Sequence, residues 1–199
     1  MAQDRRDLRR RLFVLASSQG GYFTAAQALT VGYSYQAQAH HVAAGNWHRI
    51  ERGLFRIAEW IPEPHDELIR WSLWSRGEGV ISHETALAVH AVGEFESPRV
   101  HLTVPPAFRK RDSAVTLHTA ELPEEDIEER LGYRLTTVTR SLIDIAVQGA
   151  DEDQLARAIR EAVEQGLTTL RRLRARAEAV DFKGALRIER AISQAGDPS

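Results

Sequence analysis

The sequence predicts an α+β fold in two domains, and three observations lead there. Between residues 24 and 57 the pattern reads helix, tight turn, second helix and short hairpin. Between residues 99 and 136, short stretches alternate apolar and polar residues as half-buried strands do. From residue 138 onward, apolar residues recur at helical spacing nearly to the end of the chain. Pro62 and Pro64 mark the boundary, because proline breaks helix and strand alike. The expected domains are residues 1–60 and 65–199.

Taken in order, Leu8, Leu12, Leu15 and Ala16 share one face of an opening helix. Ser17-Ser18-Gln19 cuts that apolar run short, so the basic start reads as part of the fold rather than as a signal peptide. Thr24 can cap a helix carrying Ala25, Ala28 and Leu29; Gly32 permits a sharp turn, and Ser34 can cap a second helix reaching residue 44. Gly45-Asn46 ends it, and residues 47–57 form two strands around Glu51-Arg52-Gly53. This order predicts a winged helix-turn-helix domain, whose second helix suits a DNA major groove. The second domain is expected to be mixed α/β with a helical tail. It opens on a helix over 66–76, and Ser82 caps the next one. Strands follow at 99–104, 114–119 and 133–136, then helices at 138–148, 151–165, 168–179 and 183–194.

With 199 residues, 43% of them hydrophobic, the chain can bury a core without covalent staples. It has no cysteine, which excludes disulfides, thiolate metal sites and cysteine nucleophiles. No stretch approaches the roughly 18 apolar residues of a membrane span, and a cytoplasmic protein is expected. The formal charge of −2 hides an asymmetry. Residues 1–60 carry eight arginines and four acidic residues, a net of +4; the remainder carries a net of −6. A basic front half suits a polyanion.

Helical period divides the second helix of the motif into two faces. Ala37, His41 and Val42 should face the core, while Tyr35, Gln36, Ala39, His40 and Ala43 face outward with Gln38 at the margin. The expected DNA contacts are therefore Ser34, Tyr35, Gln36, Gln38 and His40 on the helix, with Arg49 and Arg52 on the hairpin. A glutamine can present a paired donor and acceptor to adenine, and serine and tyrosine hydroxyls can bind phosphate oxygens. The helix lacks lysine and arginine, so phosphate neutralisation falls to Arg49, Arg52, Arg56 and the 5–11 arginine cluster. A protein-interaction module using the same helix and hairpin is the alternative.

The segments GYFTAAQAL, GYSYQAQ and HHVAAGNWHRIERGLFRI, followed by ISHETALAVHAVGE, LTVPP and LTTVTRSLIDIA, resemble the AbiEi-type antitoxins in their order along the chain. The resemblance implies a winged-helix repressor that binds inverted repeats in its own promoter. It also implies a nucleotidyltransferase-like toxin as functional partner, neutralised without a stable complex (the type IV arrangement). The endonuclease-like domain that some relatives append is expected to be absent.

No enzyme, cofactor or metal site is expected. His83 and His90 share a helix face but lie about 10 Å apart along it, too far for one ion. His101 and His118 fall on separate strands, and the histidines are expected to be structural. Asp181-Phe182-Lys183 has no companion acidic strand for Mg²⁺ and is expected to be a helix cap. The acidic run at 121–129 (ELPEEDIEE) suits a solvated loop or a nucleic-acid mimic. Arg140 and Asp144 can pair at i, i+4, and Arg171, Arg172, Arg174 and Arg176 suit an ordinary charged face or a phosphate patch.

Overall fold

A computed structural model describes residues 2–95 and 97–195. The chain divides into two compact units: one runs to Glu78 and includes Arg130–Tyr133, and the other comprises Gly79–Glu129 and the chain from Arg134.

The first unit starts with α1 (Ala2–Ser17), which buries Leu12 and Ala16. Gly20 and Gly21 then take left-handed backbone into β1 (Tyr22–Thr24). Thr24 caps α2 (Ala25–Val31) in a reciprocal capping box: its hydroxyl accepts from Gln27 N, and the Gln27 side chain accepts from Thr24 N. Gly32, at φ 122, ends α2 and turns the chain toward α3 (Tyr35–Ala43), whose cap is Ser34. A Cβ on Gly32 would meet only the tip of the Leu8 side chain, at 2.8 Å, so the backbone conformation is what calls for glycine there. Strands β2 (Trp47–Glu51) and β3 (Leu54–Ile57) form the hairpin, with β1 on the far edge of β3 in an antiparallel order β1-β3-β2.

Trp47 anchors this core. Phe23 and Tyr33 meet it edge-on at 4.8 and 5.1 Å, and His41 stacks on it at 4.7 Å. The helix α4 (Asp66–Trp74), expected to open the second domain, belongs to this first unit. Asp66 explains why: its carboxylate accepts from Arg56, from the Trp60 indole and from Glu63 N. That carboxylate ties the chain on both sides of the two prolines together. All four tryptophans, at 47, 60, 71 and 74, lie in this unit.

The second unit holds a sheet of order β6-β5-β4-β8-β7. Its strands are β4 (Val80–Ile81), β5 (Val100–Val104), β6 (Val115–Thr119), β7 (Ile127–Arg130) and β8 (Tyr133–Thr136). β4 runs antiparallel to β5 and parallel to β8, while β5 and β6 are parallel. Helix α5 (His83–Val89) follows β4, and α6 (Val138–Gln148), α7 (Glu152–Glu164), α8 (Leu170–Val180) and α9 (Phe182–Ala195) form the tail. The core is built from their apolar stripes, including Leu87, Leu142, Ile145, Ile159, Leu173 and Ile188. Asp181 accepts from Gly184 N at the start of α9, the capping role expected for the Asp-x-Lys triplet.

Two sequence expectations are corrected here. The acidic run is not wholly a solvated loop: Asp126 is buried, on a single 3₁₀ turn at Glu124–Asp126 that leads into β7. It accepts from Arg140 at 2.8 Å and from Arg176 through two bonds of 2.9 and 2.7 Å. Arg176 is accordingly not part of an ordinary charged face but half of a bidentate pair. Arg140 also donates to Asp144 at 2.7 Å, so the expected i, i+4 pair exists but is buried. Burial pushes the Asp144 carboxyl up to about 6 despite the Arg140 guanidinium, and its Oδ2 is buried without a hydrogen-bond partner. The same two arginines hold Asp126 below its usual range against the opposing effect of its burial.

Candidate nucleic-acid interface

Helix α3 is placed by contacts made on its inner side. Ser34 Oγ accepts from Ala37 N at 3.2 Å and starts the helix, while His41 stacks on Trp47 of β2. Burial beside that ring, followed by the charge of His40, lowers the basicity of His41. Tyr35, Gln36, Ala39, His40 and Ala43 form the exposed side, and Tyr35 is 68% exposed. Ala37, His41 and Val42 are half-buried, as the period required.

Gln38 departs from the expectation. It is 3% exposed, and its amide nitrogen donates to Ala25 O at 3.1 Å and to Tyr33 O at 3.0 Å. The Tyr33 carbonyl lies in the turn before α3, outside either helix, and the Ala25 carbonyl on the first residue of α2 takes Gln38 as an additional donor. Gln38 thus clamps the two helices together and is not available to a duplex. The helix margin on which the sequence placed it turns inward to reach these acceptors.

On the hairpin, Arg49 and Arg52 are exposed, and neither forms an ion pair among the described residues. Gly53, at φ 81, closes the turn beside Arg52, and the β2–β3 register shifts between Arg49 and Glu51. Arg56 is corrected too. Its guanidinium pairs with Asp66, donates to Gly20 O at 3.2 Å and lies over the Tyr22 ring, so it serves the fold. Of the α1 cluster, Arg5, Arg6 and Arg10 are exposed, whereas Arg11 pairs with Asp7 at 3.1 Å.

The sequence compared the wrong histidines. His90 Nε2 lies 2.9 Å from Thr136 O, away from His83, while His83 stacks on His118 at 3.5 Å and lies near His101. Distances along one helix could not disclose a meeting of residues from α5, β5 and β6.

Two helices joined by a tight turn, packed on a three-stranded antiparallel sheet with a hairpin wing, define a winged helix-turn-helix protein. Residues 10–58 match a family model described as "Transcriptional regulator, AbiEi antitoxin". The match runs from within α1 through the wing. The whole fold is similar to the crystal structure of the RV2827C protein from Mycobacterium tuberculosis. The two are 15% identical, with a TM-score of 0.66 over 95% of this chain and 77% of that one. No curated protein matches the chain. Among the described residues, no helix is long and apolar enough to cross a membrane.

Proposed function

We propose that this chain is a DNA-binding antitoxin that represses its own promoter and counteracts a nucleotidyltransferase-like toxin without a stable complex. The reading rests on one observation. Tyr35, Gln36, Ala39 and His40 form an exposed helical face, and the wing beside it carries the exposed arginines Arg49 and Arg52, which form no ion pair among the described residues. A protruding helix of this kind can enter a major groove while flanking arginines neutralise phosphates. Gln36 is suited to read adenine, Ser34 and Tyr35 to hold phosphate oxygens, and His40 to reach the groove edge. In this reading the winged domain addresses double-stranded DNA, the rest of the chain serves the antitoxin role, and the protein acts in the cytoplasm without catalysis of its own. The match of residues 10–58 supports the regulatory half, and the order of motifs along the sequence supports the antitoxin half.

The test is a gel-shift titration of inverted repeats upstream of the gene against a random duplex of equal length. Tighter binding to the repeats is expected, with Gln36→Ala relaxing base preference. Arg49→Ala and Arg52→Ala should each weaken both duplexes alike and reduce the salt slope by about one. Equal affinity of the native protein for operator and random duplex would reject the reading.

A second reading is favoured by the lack of lysine and arginine on the exposed face of α3. In it, helix and wing dock a protein partner. Co-purification of a stable complex with no operator affinity would select it.

A further inference from the structure

In the second unit, one ring nitrogen from each of His83, His101 and His118 lies within 4.8 Å of the others. The β5–β6 register places His101 opposite Thr116 and Thr103 opposite His118, so both strand histidines point to one face of the sheet. His83 enters from the start of α5, where its backbone takes the left-handed conformation at φ 55. A non-glycine residue held there is strained, and such strain gathers at functional sites.

The closest approaches centre on His101 Nδ1. It lies 3.1 Å from His118 Nε2 and 2.9 Å from Glu84 Oε2. On the opposite side of the ring, His101 Nε2 is 3.0 Å from Ser97 Oγ. The Ser97 hydroxyl gives its own hydrogen to Arg99 O at 2.8 Å, so it is an acceptor toward Nε2–H. This places a hydrogen on Nε2, so Nδ1 carries a lone pair whenever the ring is neutral. Glu84 Oε2 is buried, and its 2.9 Å contact with His101 Nδ1 is an ion pair only while that ring is protonated. A lone-pair nitrogen and a carboxylate oxygen at this separation repel one another unless a proton or a metal ion lies between them.

The surroundings suit a metal ion. Metal–donor bonds of about 2.0–2.2 Å set donors on one tetrahedral ion about 3.3–3.6 Å apart, so the 2.9 and 3.1 Å separations around His101 Nδ1 need open only by a few tenths of an ångström to admit one. Ser97 already occupies the outer position that orients a metal-bound imidazole. Two imidazoles and a carboxylate, with no thiolate, suit zinc and its first-row neighbours rather than calcium or magnesium.

We propose that Glu84, His101 and His118 bind a divalent transition-metal ion of the zinc class, with the His83 ring stacked on that of His118 beside it. The site is independent of the DNA-reading surface. Bound there, the ion joins the start of α5 to β5 and β6 and satisfies the buried Glu84 oxygen.

The test uses the full-length protein stripped with a chelator and then titrated with cobalt(II). One equivalent should produce visible ligand-field bands that zinc(II) abolishes, and cobalt should shift or broaden the imidazole resonances of His83, His101 and His118 far more than that of His90. Zinc affinity, measured against a colorimetric chelator, should fall more than about tenfold in Glu84→Gln and in His118→Gln. It should be unchanged in His90→Gln. His118 is only half-buried, so its variant is expected to keep the fold, which circular dichroism checks. The cobalt measurement on the native chain stands whatever the variants do. Absence of a saturable one-equivalent cobalt signal, or zinc affinity unchanged in both folded variants, overturns the proposal.

Discussion

Gln38 carries no charge and touches no solvent, yet it fixes the angle at which α3 stands. Its amide donates to the Tyr33 carbonyl in the turn and adds a second donor to the Ala25 carbonyl of α2. Gln38→Ala would leave the Tyr33 carbonyl without that buried donor, at about 1–3 kcal/mol. Urea denaturation should show a loss of that order. Operator affinity should fall as well, although the side chain would never meet DNA. Period alone disclosed the exposed face of α3, because an amphipathic helix sorts its residues by angle. It could not place Gln38, whose acceptors come from α2 and from a turn, nor Arg56, whose partner Asp66 lies beyond the prolines. Nothing in local spacing distinguishes an arginine poised for phosphate from one already paired.

Between elements, the Arg140–Asp126–Arg176 cluster fastens α6 and α8 to the turn before β7. Its carboxylates titrate in opposite senses. Asp126, held below its usual range, contributes stability that is present near neutrality and lost in strong acid. Asp144 is raised from 3.8 to about 6, so its contribution is fully present below 3.8 and lost as pH rises through about 6. Asp144→Asn removes that second dependence. The stability of the variant relative to the native chain should therefore increase as pH is raised across that window, measured by urea midpoints at several pH values. A constant difference would mean that Asp144 titrates normally. The long helices of the tail were legible because their apolar stripes repeat over many residues. β1, β4 and β7 were not: β1 and β4 span only three and two residues, and β7 is one isoleucine followed by three charged residues, with no alternation to read. The ring of groups around His101 was hidden for the same reason, since pairing between strands creates it.

At the scale of the whole chain, the basic front and acidic rear were legible as composition, and the α+β class followed from the order of periodicities. The division into units was less so. Prolines signal a break in secondary structure, but Asp66 draws α4 back to the winged core, a tertiary tie that composition does not encode. The placement of the four tryptophans in one unit makes intrinsic emission a selective reporter. Ultraviolet excitation sees the winged half alone, while backbone ellipticity averages helices from both halves. Melting curves from the two signals should therefore separate if the halves open independently, and Gln38→Ala should displace the emission curve more. Nature has left half of this molecule optically silent, so its two parts can be watched apart without attaching a dye.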